Sequence, residues 1–253
     1  MVRCAFTGNI EPLWNPGNLQ PEFRLQERRI GKEKIPALYK GHEIATHGVK
    51  HLTLARCPMT DVVKEILEDR QALEELTGEI VCGHAYPNGS YSPEIKTLLP
   101  SLGIHYARTA TDTGLYTHPQ DFYEWNPTCH HNNRLMYHAK EFLSFDLTQF
   151  QYLFYVWGHS YEFDRDNNWY VIEEFCKMIG GREDIWYATN AEVCHYLMAV
   201  KQVHTSVDEK LLFNGSGQDI YLIRNGENIL LRPGELQRIH SSESHGKLRK
   251  IVL

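Results

Sequence analysis

The sequence predicts an α/β protein with a mainly parallel sheet, open or closed into a barrel. Three observations predict it. Short apolar runs alternate with amphipathic helical stretches from residue 42 to residue 201. Gly or Pro punctuates many of the junctions. After about residue 203 the texture changes to short strands separated by Asn-Gly and Pro-Gly turns. Residues 1–202 therefore read as the main domain, and 203–253 as a small β-rich C-terminal extension.

The elements follow in order. Val2–Phe6 is a strand candidate, and residues 9–28, with Pro12, Pro16 and Pro21, read as a loop. His42–Thr46 alternates polar and apolar, as a strand does. Pro58–Thr77 is an amphipathic helix capped by Thr60, with Val62, Val63, Ile66, Leu67, Leu73 and Leu76 as its apolar stripe and Gly78 as its stop. Ile80–His84 and Ile104–Arg108 are strands flanking a helix over Ser92–Leu102. Glu141–Phe150 is partly helical, and Gln151–Trp157 is a buried strand. Helices over Trp169–Gly180 and Ala191–Lys201 flank a strand at Ile185–Thr189. Lys210–Phe213, Ile220–Arg224, Ile229–Arg232 and Leu248–Leu253 complete an antiparallel appendage.

Composition excludes several classes. The 253 residues are 42% hydrophobic and 23% charged, which rules out a disordered chain or a coiled coil. The longest greasy stretch, Phe150–Trp157, is far too short for a membrane span. The net charge of -6 and two short basic clusters argue against nucleic acid as a partner. Six scattered cysteines lack CxxC spacing and read as reduced, buried thiols of a cytoplasmic protein. The opening Met-Val-Arg-Cys has no signal-peptide pattern and reads as the middle of a domain. Histidine is the outlier, with fourteen residues, several in close pairs, which directs attention to metal or acid/base chemistry.

Four segments carry that chemistry. His47 and His51 lie four apart after a strand; on a helical turn both imidazoles would share one face, as two ligands of a divalent metal must. Ala85-Tyr86-Pro87-Asn88-Gly89 follows a strand and forms a tight loop able to line a pocket. Trp125 with His130 and His131 suits an aromatic wall and polar contacts for a sugar. Gly158-His159 follows a buried strand, at the end where α/β folds place catalytic groups.

In this order and spacing the four segments resemble the polysaccharide deacetylase family (carbohydrate esterase family four). Thr46-His47…His51 is similar to its metal-binding motif, Ala85–Gly89 to its Arg-x-Pro-Tyr-Gly loop, Trp125 to its aromatic wall, and Gly158-His159 to the motif carrying the catalytic His. The resemblance implies a distorted (β/α) barrel of about seven strands, here lacking its first strand. It implies hydrolysis of N- or O-acetyl groups on an oligo- or polysaccharide, with His47 and His51 holding a divalent metal, zinc by expectation. His159 is then the general acid, and Tyr86, Pro87, Gly89, Trp125, His130 and His131 contact substrate.

Two departures accompany the resemblance. The family's Asp-Asp motif, which supplies the base and a third ligand, has no counterpart, since no Asp precedes Asp61. Ala85 stands where many relatives have Arg; Arg108 and Arg134 are candidates to replace it. The expectation is a metal-dependent hydrolase of carbon–nitrogen (non-peptide) bonds, impaired by truncation ahead of Met1. The alternatives are a non-catalytic carbohydrate-binding protein on the same fold, and an unrelated metal hydrolase using His47, His51 and His130 or His131.

Overall fold

Four parallel strands carry the first half of the fold. They are β1 (Ala5–Gly8), β2 (Glu43–Thr46), β3 (Gly83–Ala85) and β4 (Tyr106–Arg108), hydrogen-bonded in that order. The register sets Gly8 beside Thr46, Thr46 beside His84 and Ala85 beside Arg108. The computed structural model describes residues 5–8, 31–145, 151–224, 227–239 and 250–252. The expected loop at 9–28, the His240/His245 pair, most of the basic cluster at 247–250 and residues 146–150 fall outside these.

The parallel course continues past β4. Trp125 bridges Arg108 in parallel. β5 (Cys129–His130) pairs with β7 (Val156–Trp157), while β6 (Leu153–Phe154) pairs with a later strand. The expected single strand over 151–157 is thus two, because its halves serve different neighbours on either side of Tyr155. Among the described residues no ladder returns from the last strand to β1. The mixed parallel α/β architecture stands, whereas a closed barrel is not seen; strands of two to four residues form few ladder bonds.

Seven helices connect the strands among the described residues: α1 (Ile35–Leu38), α2 (Met59–Thr77), α3 (Pro93–Leu98), α4 (Leu135–Ser144), α5 (Ser160–Arg165), α6 (Trp169–Ile179) and α7 (Asn190–Val200). In α2 the stripe buries Val62, Ile66 and Leu73, while Leu67 faces outward. Glu65 and Asp69 lie on the buried face instead. The helix starts after Pro58, so Thr60 sits in the first turn rather than capping it. The helix expected over 92–102 is α-helical only to Leu98; Pro100, which lacks an amide hydrogen, leaves a 3-10 turn to Leu102. α4 begins at Leu135, earlier than expected.

The extension forms two antiparallel groups. β10 (Leu211–Asn214) lies between β9 (Val203–Thr205) and β13 (Leu236–Arg238), and β11 (Ile220–Arg224) forms a hairpin with β12 (Glu227–Leu231). Leu212, Ile220, Ile229 and Leu231 pack with Ala199 of α7. The strand expected at 248–253 does not join them. β14 (Lys250–Val252) runs parallel between β6 and β8 (Ile185–Tyr187), in a separate three-stranded sheet. The hydrophobic cluster under the sheet centres on Tyr106, Phe122, Trp125 and Tyr155.

Candidate active site at the carboxyl ends of the strands

His47 directly follows β2, and its setting is built by α2. The Asp69 carboxylate accepts the His47 amide at 2.7 Å, and the Glu65 carboxylate accepts the Lys50 amide at 2.8 Å. Gly48 adopts φ 77° and comes so close to Glu65 that a Cβ there would lie 2.9 Å from its Oε2. His51 is also left-handed, with φ 51°. The segment is therefore a loop held on two buried carboxylates and not the expected helical turn. The two imidazoles still meet, edge to face, with centroids 4.7 Å apart.

The His47 ring is oriented from below. Its Nδ1 lies 2.7 Å from the Ala85 carbonyl, so Nδ1–H donates and Nε2 is the nitrogen that could hold a metal. Burial holds this imidazole down at about 4, the bond to Ala85 only partly opposing it, with His51, Arg108 and His159 adding to the depression. A neutral ring is the form that binds metal. Beneath it His84 is wholly buried and held down at about 3 by burial, His47 and Arg108. His84 Nδ1 meets Thr46 Oγ1 at 2.8 Å, and its Nε2 has no hydrogen-bond partner. Burial also pushes Asp69 up to about 7.

The loop after β3 abuts this site. Pro87 lies behind Gly48, and residues 87–89 make a tight turn with Asn88 at φ 56°. Tyr86, however, is 1% exposed, stacked on Tyr91 and bonded to the Tyr123 carbonyl. Trp125 is likewise enclosed at 1%, set edge-to-face against Tyr106, Phe122 and Tyr155. Both rings belong to the core, which corrects Tyr86 as a substrate contact and Trp125 as a sugar-stacking wall: packing leaves them no free face.

A second group forms at the ends of β5 and β7, around Glu162 of α5. His131 Nε2 donates to Glu162 Oε2 at 2.8 Å; His130 Nε2 stands 3.0 Å and His159 Nδ1 3.4 Å from the same oxygen. The His159 amide also donates to it at 3.2 Å. Burial alone would raise the Glu162 carboxyl, but the surrounding imidazoles hold it below the usual range. His131 is buried against Phe163, and its Nδ1 has no hydrogen-bond partner. His130 packs edge-to-face on Trp157. Trp157 Nε1–H donates to Asp112, and its ring lies under the Arg108 guanidinium at 4.9 Å. Gly158, at φ 150°, passes so close to His131 that no side chain fits there.

The structure thus brings His47, His51, Pro87, Gly89, His130, His131 and His159 to the carboxyl ends of the strands. It adds Glu65, Asp69, His84, Asp112 and Glu162, which sequence reasoning did not single out. Glu65 and Asp69 were detectable as acids on the buried stripe of α2; Glu162 lies three residues beyond His159. The described cysteines Cys57, Cys82, Cys129, Cys176 and Cys194 are free thiols, with Cys176 exposed rather than buried. No described helix is long and apolar enough to cross a membrane.

Residues 30–107 match the family model for polysaccharide deacetylase. No curated protein matches the chain. Among solved structures, a Streptococcus pyogenes deacetylase in complex with acetate is similar at 17% identity and TM-score 0.39, over 47% of this chain and 50% of that one. A Bacillus cereus polysaccharide deacetylase is similar at 18% identity and TM-score 0.34, over 40% and 32%. A Thermococcus litoralis 4-alpha-glucanotransferase is similar at 18% identity and TM-score 0.41, over 63% and 29%. The chain spans half or less of each of these proteins.

Proposed function

We propose that the chain is a member of the polysaccharide deacetylase family, whose model matches residues 30–107, and that it removes acetyl groups from N- or O-acetylated carbohydrate. The observation that carries this reading is the bond from His47 Nδ1 to the Ala85 carbonyl, which presents Nε2 beside the His51 ring. The neutral His47 imidazole and the adjoining His51 ring fit a divalent ion of the zinc type. Such an ion, when bound by His47 and His51, supplies Lewis acidity toward an acetyl carbonyl.

The chain's own residues do the rest. His159, on the far side of the site and oriented by Glu162, hands a proton to the leaving sugar nitrogen or oxygen. Arg108, level with Ala85 on the adjacent strand, supplies the guanidinium expected at position 85. Its stacking on Trp157 keeps the planar group in place. Glu65 and Asp69 hold the His47–His51 loop through its amides. His130 sits beside the proton donor and contacts substrate, as does Gly89 from the loop after β3, whereas His131 and Pro87 are buried, which corrects their expected role as substrate contacts.

A second reading has its own support. β1 lies directly beside β2, and its residues Ala5–Gly8 include no carboxylate level with Thr46. On that reading the same site binds acetylated sugar without turnover. One experiment separates the two: acetate release from acetylated chitooligosaccharide and xylan with zinc, with chelator, and in His47→Ala. Hydrolysis expects release with zinc that chelator and the variant abolish. Binding without release, insensitive to chelator, overturns it.

A further inference from the structure

The opposite end of the sheet gathers a second set of donors. Cys82 immediately precedes β3, and His105 immediately precedes β4. The His105 amide donates to the Cys82 carbonyl at 2.7 Å, which fixes the two residues side by side across the parallel strands. α7 brings in a third: His105 Nδ1 and His195 Nε2 are 2.8 Å apart. The Cys82 sulfur and these two nitrogens all lie within 4.8 Å of one another. Ala85 and Arg108 lie at the other ends of the same strands, and His47 follows the neighbouring β2 at that other end.

We propose that Cys82, His105 and His195 form a second metal site, distinct from the candidate active site, that takes a zinc-type divalent ion. One thiolate and two imidazoles are a borderline-soft donor set, suited to zinc and unsuited to calcium or magnesium, which take oxygen. The three ligands come from β3, β4 and α7, so the ion clamps a helix to the amino ends of two strands. At 2.8 Å the two ring nitrogens share one hydrogen. Nitrogens of one tetrahedral zinc stand about 3.3 Å apart, so the two rings part by roughly half an ångström while the Cys82 sulfur closes toward them. On binding, the shared hydrogen moves to the other nitrogen of its own ring, and the Cys82 thiol loses its proton to solvent. One proton is released per ion. His105 is exposed, and a hollow bordered by Val81, Cys82 and Ala191 adjoins the thiol.

Cobalt(II) tests this in the full chain, because a thiolate ligand gives a near-ultraviolet charge-transfer band that a site of imidazoles alone lacks. The parent is expected to show the band. Cys82→Ser should abolish it, and His105→Ala or His195→Ala should weaken cobalt binding at least about tenfold. The double replacement His47→Ala with His51→Ala should leave the band intact. His105 lies at the surface, so its variant is the one that keeps the fold, with circular dichroism as the check. Zinc should raise the Tm of the parent and of the His47/His51 variant, and that of His105→Ala by less than that of the parent. No band in the parent, a band that survives Cys82→Ser, or a band lost with His47 and His51 overturns the site. So does an equal zinc-induced rise in Tm in His105→Ala.

Discussion

Arg108 stands directly opposite Ala85 across the β3–β4 pair, and its guanidinium lies 4.9 Å over the Trp157 ring. A neighbouring strand can therefore present the group that position 85 lacks. Arg108→Ala should cut kcat for acetate release by about a hundredfold, the scale of losing one fixed electrostatic donor. Arg108→Lys should recover only part of it, since an ammonium keeps the charge but not the planar stack. Steady-state kinetics with Tm as control would check this; a full Lys rescue would show that charge alone suffices.

Glu162 is the shared acceptor of His130, His131 and His159. Glu162→Gln removes the charge that orients three rings. Activity should fall by at least about tenfold, toward the loss expected of His159→Ala if His159 is the proton donor. Comparison of kcat for Glu162→Gln and His159→Ala, singly and together, would test this. Losses that multiply independently would contradict an orienting role.

Gly158 is held at φ 150° against the His131 ring. Gly158→Ala forces that ring to move or the turn to open, with a cost of about 1–3 kcal/mol from overpacking. A urea unfolding series should show the loss, and acetate release should fall with it. An alanine variant of parental stability would mean the turn relaxes freely.

Asp69 and Glu65 hold the amides of the His47 loop from below. Asp69→Ala should weaken zinc binding about 10–100-fold, as loss of a supporting partner does. Isothermal titration would measure it. Unchanged affinity would mean that Gly48 and the Ala85 bond fix the loop without α2.

Glu43 begins β2 and accepts from Tyr106 Oη–H at 2.7 Å and from the Ala191 amide at 2.9 Å. Burial raises its carboxyl above the usual range, the hydrogen bonds only partly opposing it. The folded state thus binds this proton more tightly than the unfolded chain. Its contribution is full below the unfolded value and is lost as pH rises through the higher folded value. Glu43→Gln should flatten that decline in stability above about pH 4.3. Urea midpoints of parent and variant across pH 4–8 would reveal it; parallel curves would contradict it.

Much of this was legible in the chain. The period-2 run at 42–46, the stripe of α2 and the placement of His47, His51 and His159 after strands all follow from local pattern, and the structure agrees. What local pattern does not carry is who stands beside whom. Trp125 reads as an aromatic wall because His130 and His131 follow it, and Tyr86 as a substrate contact because its loop follows a strand, yet both pack among rings from distant segments. The His47 loop escaped helix because Gly48 takes a left-handed turn and α2 offers its amides carboxylate partners. Strand 151–157 divides because two different strands meet it, one from residues 129–130 and one from 250–252.

The position of β14 has a kinetic consequence. Residues 250–252 fill the gap between β6 and β8, so those two strands leave the ribosome long before the neighbour that joins them. Until it arrives, each presents a bare edge to the other, open to mispairing. Pairing across so long a stretch of chain is slow to nucleate. The antiparallel groups at 203–238 are then an insertion between two strands of one sheet, and their own collapse shortens the search that the final strand must make.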